Sequence, residues 1–334
     1  MKFFFYSLFL VVSSIGSSKI YEAFPDPGES SFYWEVADTA PFDELILTWN
    51  GMRPEQGGYF LFVRVKQNGQ WSPLLYYGQW GSWGQLLFRD APEDSFASTY
   101  RGVVAPKSGH CDGFIVFVQS TLPIGALSVF TNEPVISSSG RESFAPILLK
   151  NPDKQSLITL RQARYSDLYL TTAVSIAVNT LYKEKKIDPV SFAALCYDQE
   201  FDAYDHWNLS AAQAFVALEG NYLVQIQRLP DFAALYSYLA QGCPVVVGIK
   251  GTVIGGPRPH IREHALCVIG YDPETQRVHC IDPYFPTDNS TPVSYSLSNF
   301  TEVWRKRNNI ACTFKAKKSP PERNGCVNTD PGTK

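Results

Sequence analysis

The chain has 334 residues, 45% of them hydrophobic and 18% charged, which is material for roughly two domains at about 150 residues each and too apolar for a disordered chain. Lys and Arg number 29 against 32 Asp and Glu, a net charge of -3, and no stretch concentrates the basic residues needed to track a phosphate backbone, so nucleic-acid binding is excluded. The seven Cys contain no CxxC, which excludes a metal knuckle or a thioredoxin-type motif on spacing.

Residues 1–18, MKFFFYSLFLVVSSIGSS, read as a signal peptide: one Lys, an apolar run from Phe3 to Val12, then Gly16 and Ser18 as the small residues ahead of Lys19. The run is too short for a spanning helix, which needs about 20 residues, and no later stretch approaches that length, so no transmembrane segment is expected after it. The alternative is an uncleaved N-terminal anchor. An exported chain is permitted disulfides, but an odd Cys count leaves at least one thiol free or paired with another chain. Cys326 falls in the polar stretch 316–334, expected to be a disordered tail.

Residues 19–135 alternate short aromatic or β-branched runs, such as LILTWN, GYFLFVRV and GFIVFVQS, with Gly, Pro, Asn and Asp clusters. Period-two runs bounded by turn residues predict an antiparallel β-sandwich. Its sharpest turn is Gln67-Asn68-Gly69-Gln70, because Asn-Gly supplies the two positive φ values of a type I′ hairpin. Five of the seven Trp lie in the first 83 residues. Trp71, Trp80 and Trp83 with Tyr76 and Tyr77 are read first as core filling and second as an aromatic platform for sugar or peptide. Residues 136–156, Ser/Gly-rich at the start, read as a linker.

The grammar then changes. Thr171–Lys186 reads as a buried helix ending in a basic turn of Lys183, Lys185 and Lys186. Ser210–Leu218 and Asp231–Gln241 read as helices stopped by Gly220 and Gly242. Strands follow at Pro244–Lys250, His264–Tyr271 and Arg277–Asp282. Helices first and antiparallel strands afterwards predict an α+β domain over residues 157–315.

Six phrases in this region occur in a telling order: Gln162, the helix start TTAVSIAV, Gln241-Gly242-Cys243-Pro244, His264-Ala-Leu, Ile281-Asp282-Pro283 and Asn299–Trp304. On these residues 160–314 resemble the C39-like branch of the papain-like cysteine peptidases, and the β-rich segment resembles the sandwich that precedes that domain in some bacterial members. The resemblance implies a papain-like fold and a Cys at the start of the first helix, its thiolate favoured by the helix dipole and an imidazolium. It also implies a His base, an Asp or Asn that orients it, and a Gln donor to the oxyanion. Gln162, His264 and Asp282 match the last three roles. The nucleophile position falls on Tyr169, and no Cys occurs between Cys111 and Cys196. A protonated phenol is no acyl-transfer nucleophile near neutral pH. Ser166, Thr171 and Thr172 lie off the aligned position.

The expected function is therefore an exported family member, destined for periplasm, cell envelope or beyond, that binds a peptide or protein segment in a vestigial cleft. The alternatives are an active thiol- or hydroxyl-type hydrolase and an envelope structural or adhesion module. No cofactor is called for. His110, His206, His260 and His279 show no repeated ligand spacing, so no metal is expected, and Cys196, Cys243 and Cys111 read as packed thiols. If His264 and Asp282 oppose one another across paired strands, Leu266 faces Cys280 and Cys267 faces His279. Cys267 and Cys280 then point to opposite faces and form no disulfide. The sequence leaves the oligomeric state open.

Overall fold

The computed structural model describes residues 13–15, 18–26, 31–132, 144–157, 168–182 and 186–317. Its first part is all strand: β1 (Ser13–Ile15), β2 (Ser18–Ala23), β3 (Ser31–Val36), β4 (Leu45–Asn50), β5 (Gly58–Gln67), β6 (Gln70–Trp71), β7 (Leu75–Gly81), β8 (Gly84–Leu87), β9 (Ala97–Tyr100), β10 (Val103–Pro106), β11 (Gly113–Ser120) and β12 (Ala126–Asn132). One sheet runs β1-β2-β12-β4-β10-β9 and the other β3-β11-β5-β7-β8, with β6 paired to β5. The two share one core of Tyr21, Trp34, Trp49, Tyr59, Trp80 and Phe114. The Asn68-Gly69 hairpin forms as its residues dictate, with φ of 52° and 77° joining Gln67 to Gln70.

The five ring residues grouped by sequence do not share one face, and an irregularity at Tyr77 in the β5–β7 ladder puts both Tyr77 and Trp80 in the core. Tyr77 and Trp80 are fully buried, whereas Tyr76 and Trp83 are half exposed. Tyr76 lies on an outward aromatic face where its ring meets Phe62 and Phe88, and Phe62 in turn meets Phe117. The grouping as a single platform therefore fails, because Tyr76 and Tyr77 are neighbours on a strand and point to opposite faces.

The second part comprises β13 (Ile147–Leu148), α1 (Tyr169–Leu181), α2 (Pro189–Ala194), α3 (Trp207–Ala217), β14 (Tyr222–Arg228), α4 (Phe232–Ala240), β15 (Val245–Gly251), β16 (His260–Asp272), β17 (Arg277–Ile281), β18 (Pro292–Ser296), α5 (Leu297–Arg305) and β19 (Ile310–Ala316). Its sheet runs β14-β19-β15-β16-β17-β18, and β13 pairs with β16. Thus part of the stretch 136–156 adds a strand to this sheet. The helix stops follow the sequence: Asp231 caps α4 by accepting from Ala234 N–H at 2.9 Å, and Gly242 takes a φ of 79°.

Helix α1 differs from expectation at its end, stopping at Leu181 without a basic last turn. Asn179 holds both backbone groups of Ile187, at 2.8 and 3.0 Å, and so ties the chain back to the end of the helix. Lys186 instead pairs with Asp153 at 3.0 Å. The β16–β17 register also differs: Cys267 faces Ile281 and Val268 faces Cys280, with an irregularity before Gly270. Leu266 does not face Cys280, nor Cys267 His279. Cys267 and Cys280 are nevertheless both free, because they still project from opposite faces of the sheet.

The two parts meet along β4, which is buried at every residue. Leu45, Leu47 and Trp49 enter the sandwich core, while Ile46 joins the core of the second part. Its polar residues on that second side finish the edge of β14. Asn50 Nδ2 donates to Val224 O at 3.1 Å and its Oδ1 accepts from Val224 N–H at 2.8 Å. Thr48 Oγ1 accepts from Ile226 N–H at 3.2 Å. Arg228 closes the seam with a two-pronged ion pair to Glu44, both contacts 2.7 Å.

Replacing Asn50 by Ala strands a buried donor and a buried acceptor, so Asn50→Ala is expected to cost about 2–5 kcal/mol. Urea unfolding followed by tryptophan fluorescence, which reads mainly the sandwich with its five of seven Trp, and by far-UV dichroism, which reads the helices, should move together. Two separated transitions would show that the seam does not couple the parts.

Candidate active site

The site is built where three backbone features converge. His264 lies on β16 opposite Ile249 of β15, and the next pairing toward the mouth is His260 with Gly251. Three residues, Ile261 to Glu263, thus stand against the single Lys250. This bulge brings the rings of His260 and His264 to 4.1 Å between centroids and 13° between planes. On a regular strand residues four apart would be about 13 Å away from each other.

Asp282 follows the last residue of β17 and is held by its own N–H donating to Thr291 O at 2.9 Å. Since Cys267 faces Ile281, Asp282 is placed diagonally from His264 on one face, a separation side chains span readily. His264 Nε2 and Asp282 Oδ1 are 2.8 Å apart, with both residues buried. The contact expected from sequence forms, though by a diagonal rather than a direct pairing. Asp282 also accepts from Tyr284 N–H at 2.9 Å and Tyr295 OH at 2.7 Å. Burial pushes its carboxyl up, but the His264 charge and these hydrogen bonds outweigh that and hold it below its ordinary value.

Tyr169 is the first residue of α1, whose N-terminus has no side-chain cap. Its ring centroid lies 6.3 Å from that of His264. The phenol donates to Asp205 Oδ2 at 3.0 Å and lies 3.3 Å from Glu263 Oε2. Each acid has its own guanidinium, Arg101 at 3.4 Å from Asp205 and Arg307 at 2.6 Å from Glu263. Burial first, and then the two carboxylates, push the Tyr169 hydroxyl far above its ordinary value, so it stays protonated. The acids themselves suit the positive end of a helix.

Tyr169, His260, His264, Asp205, Glu263 and Arg101 line a cleft of about 900 Å³ that also takes in Lys250, Arg258 and Tyr284. Arg258 lies over the Tyr284 ring at 4.0 Å. Arg101 comes from the tight β9–β10 turn, so the sandwich supplies part of the wall. Gln162 lies outside the described residues, as do Ser166, Cys326 and most of the spans read as signal peptide and tail. None of the six described Cys lines the cleft; all are buried. Burial raises their thiols, that of Cys111 to about 12 and the others also upward.

Sequence reasoning brought His264, Asp282 and Tyr169 together and missed His260, Glu263, Asp205, Arg101 and Tyr295. Glu263 adjoins His264 in sequence and was within reach of notice. His260 depends on the bulge, and the other three on tertiary packing that no local pattern announces.

Residues 170–312 match the family model described as Peptidase_C39 like family. No curated protein matches the chain.

Because the Asp282 carboxyl titrates lower folded than unfolded, its contribution is present above about pH 4 and is lost as pH falls through the folded value. Asp282→Asn is expected to cost about 1–3 kcal/mol at pH 7 and to flatten the acid side of the stability curve. Urea midpoints measured at stepped pH check both, and an unchanged acid slope would show that another carboxylate governs it.

Proposed function

Because residues 170–312 form a domain of the Peptidase_C39 like family, we propose that the chain is an exported, non-catalytic member whose cleft holds a peptide or protein segment without cutting it. The observation that carries this reading is Tyr169. It stands at the start of α1 beside the His264–Asp282 pair, where the family resemblance calls for a thiol, and its hydroxyl is engaged by Asp205 and Glu263. A phenol kept protonated does not attack a carbonyl. The neighbouring carboxylates oppose a thiolate as well, since like charge raises a thiol's pKa. His264 retains its orienting carboxylate but has no acidic nucleophile to deprotonate. The open cleft, with cations and aromatic rings on its walls, supports binding.

A mixed peptide library incubated with the purified chain is expected to show no turnover, with or without a thiol-alkylating agent, while a subset of peptides is retained. Cleavage abolished by alkylation would overturn the reading. Tyr169→Cys is expected to give a thiol that alkylates faster than the buried native cysteines, through the helix terminus and His264. Adding Asp205→Asn should speed it further by removing a negative charge. If the double variant reacts no faster than the single one, the acids do not govern this position.

A second reading, an adhesion or structural module acting through the sandwich, is supported by the outward aromatic face of Phe62, Tyr76 and Phe117 with the exposed Tyr33. Retention of ligand by Tyr76→Ser but not by Arg258→Glu supports the cleft; the opposite result supports the sheet face.

A further inference from the structure

We propose that His260, His264 and Asp282 form a binding site for one divalent first-row transition-metal ion at the floor of the cleft. One donor atom from each can be chosen so that all three lie within 4.8 Å of one another. Two imidazoles and one carboxylate are a donor set that suits zinc, cobalt, nickel or iron, whereas calcium and magnesium demand oxygen shells.

A second observation points independently to a ligand. His260 is only 5% exposed, yet its Nε2 has no hydrogen-bond partner. A buried polar atom left unpaired is costly, and most such atoms in folded chains find a partner. His260 lines the cleft, so an ion that enters it meets the residue whose buried Nε2 has no partner.

The geometry needs only a modest adjustment. Donors about 2.0–2.2 Å from an ion lie roughly 3–3.5 Å apart. The His264 Nε2 and Asp282 Oδ1 pair, at 2.8 Å, is already close to that. His260 has to swing inward, and its ring is stacked on His264 with Tyr284 set edge-on to both, the His260 centroid 4.1 Å from His264 and 5.7 Å from Tyr284. An ion bound at His264 Nε2 displaces the proton that faces Asp282, and the metal-bound imidazole carries its one proton on Nδ1. Asp282 is meanwhile held by Tyr284 N–H and Tyr295 OH, the outer-shell support that metal-binding carboxylates use. Arg258, lying over Tyr284, and Lys250 on the cleft lining oppose the ion's charge, so Asp282 is the carboxylate that balances it.

The test titrates Co²⁺, and separately Zn²⁺, into the tag-free, chelator-treated full chain with no peptide present, so that its outcome is independent of the peptide-binding reading. Visible absorption and calorimetry are expected to show one ion per chain, with a nitrogen and oxygen ligand spectrum and no thiolate charge-transfer band. His260→Ala and the more conservative His260→Gln should each weaken binding at least about tenfold, with folding checked by dichroism. His279→Ala, whose ring bonds Ser294 on β18, should bind as the unmodified chain does. Failure to saturate at one equivalent, a thiolate band, or His260 variants indistinguishable from the unmodified chain would each overturn the proposal.

Discussion

The side-chain amide of Asn50 stands in for a neighbouring strand. An edge strand offers unpaired N–H and C=O groups that recruit other chains unless covered, and β14 is such an edge. Asn50 presents one donor and one acceptor at the spacing of the Val224 backbone, 3.1 and 2.8 Å, and Thr48 adds an acceptor for Ile226. A polar residue in a strand buried on both sides is tolerable only when fully paired, which is the situation here. Farther along, Gln225 donates to Glu22 at 2.7 Å, and Lys315 balances that buried carboxylate at 3.3 Å. With β14 fixed against the sandwich, the β9–β10 turn is carried over the second sheet and Arg101 reaches Asp205. The cleft is thus a property of both parts of the chain.

Within the cleft, charge is arranged in a line from Arg101 through Asp205, Tyr169 and Glu263 to Arg307. Two carboxylates beside one phenol would repel each other without compensation, and each is matched by a guanidinium within 3.4 Å. Such pairs contribute little at a solvated surface and more where water is restricted. Their effect on Tyr169 is to hold the ring in one orientation across the start of α1. The His264–Asp282 pair behind it is a separate unit, kept in place by the chain after β17 and by Tyr295.

Much of this was legible in the sequence, for reasons particular residues make plain. Asn68-Gly69, Asp231 and Gly242 act through their own backbone preferences, so the turn and the helix ends follow locally. His264 and Asp282 lie next to regular strands, and their pairing survives a register different from the one a direct opposition requires, because diagonal contact on one face tolerates a shift of two. The bulge at Ile261–Glu263 has no such marker. It consists of ordinary residues whose looping is set by the partner strand, and so His260 read as one of several histidines without a ligand spacing. The length of α1 was overestimated for a similar reason: Asn179 ends it by binding a residue beyond the lysines, which helical periodicity does not register. β14, β18, β19 and α5 form where neighbouring elements present apolar surface, and their own patterns are short.

Helix α3 belongs to two cores at once. Leu209 and Ala212 complete the packing of the sandwich, while Ala211, Ala214 and Phe215 face the other side. Asn208 Nδ2 donates to Leu47 O at 2.8 Å and to Tyr77 OH at 2.9 Å inside the sandwich. Synthesis runs from the N-terminus, so every sandwich strand is made before the helix that fills its interior. At about 5–20 residues per second the interval lasts seconds, long compared with the microseconds in which a hairpin forms. During it the nascent sheets have an unfilled centre, although Leu47 and Tyr77 already bond one another within them. The first part of the chain to be made is in this respect among the last to be finished.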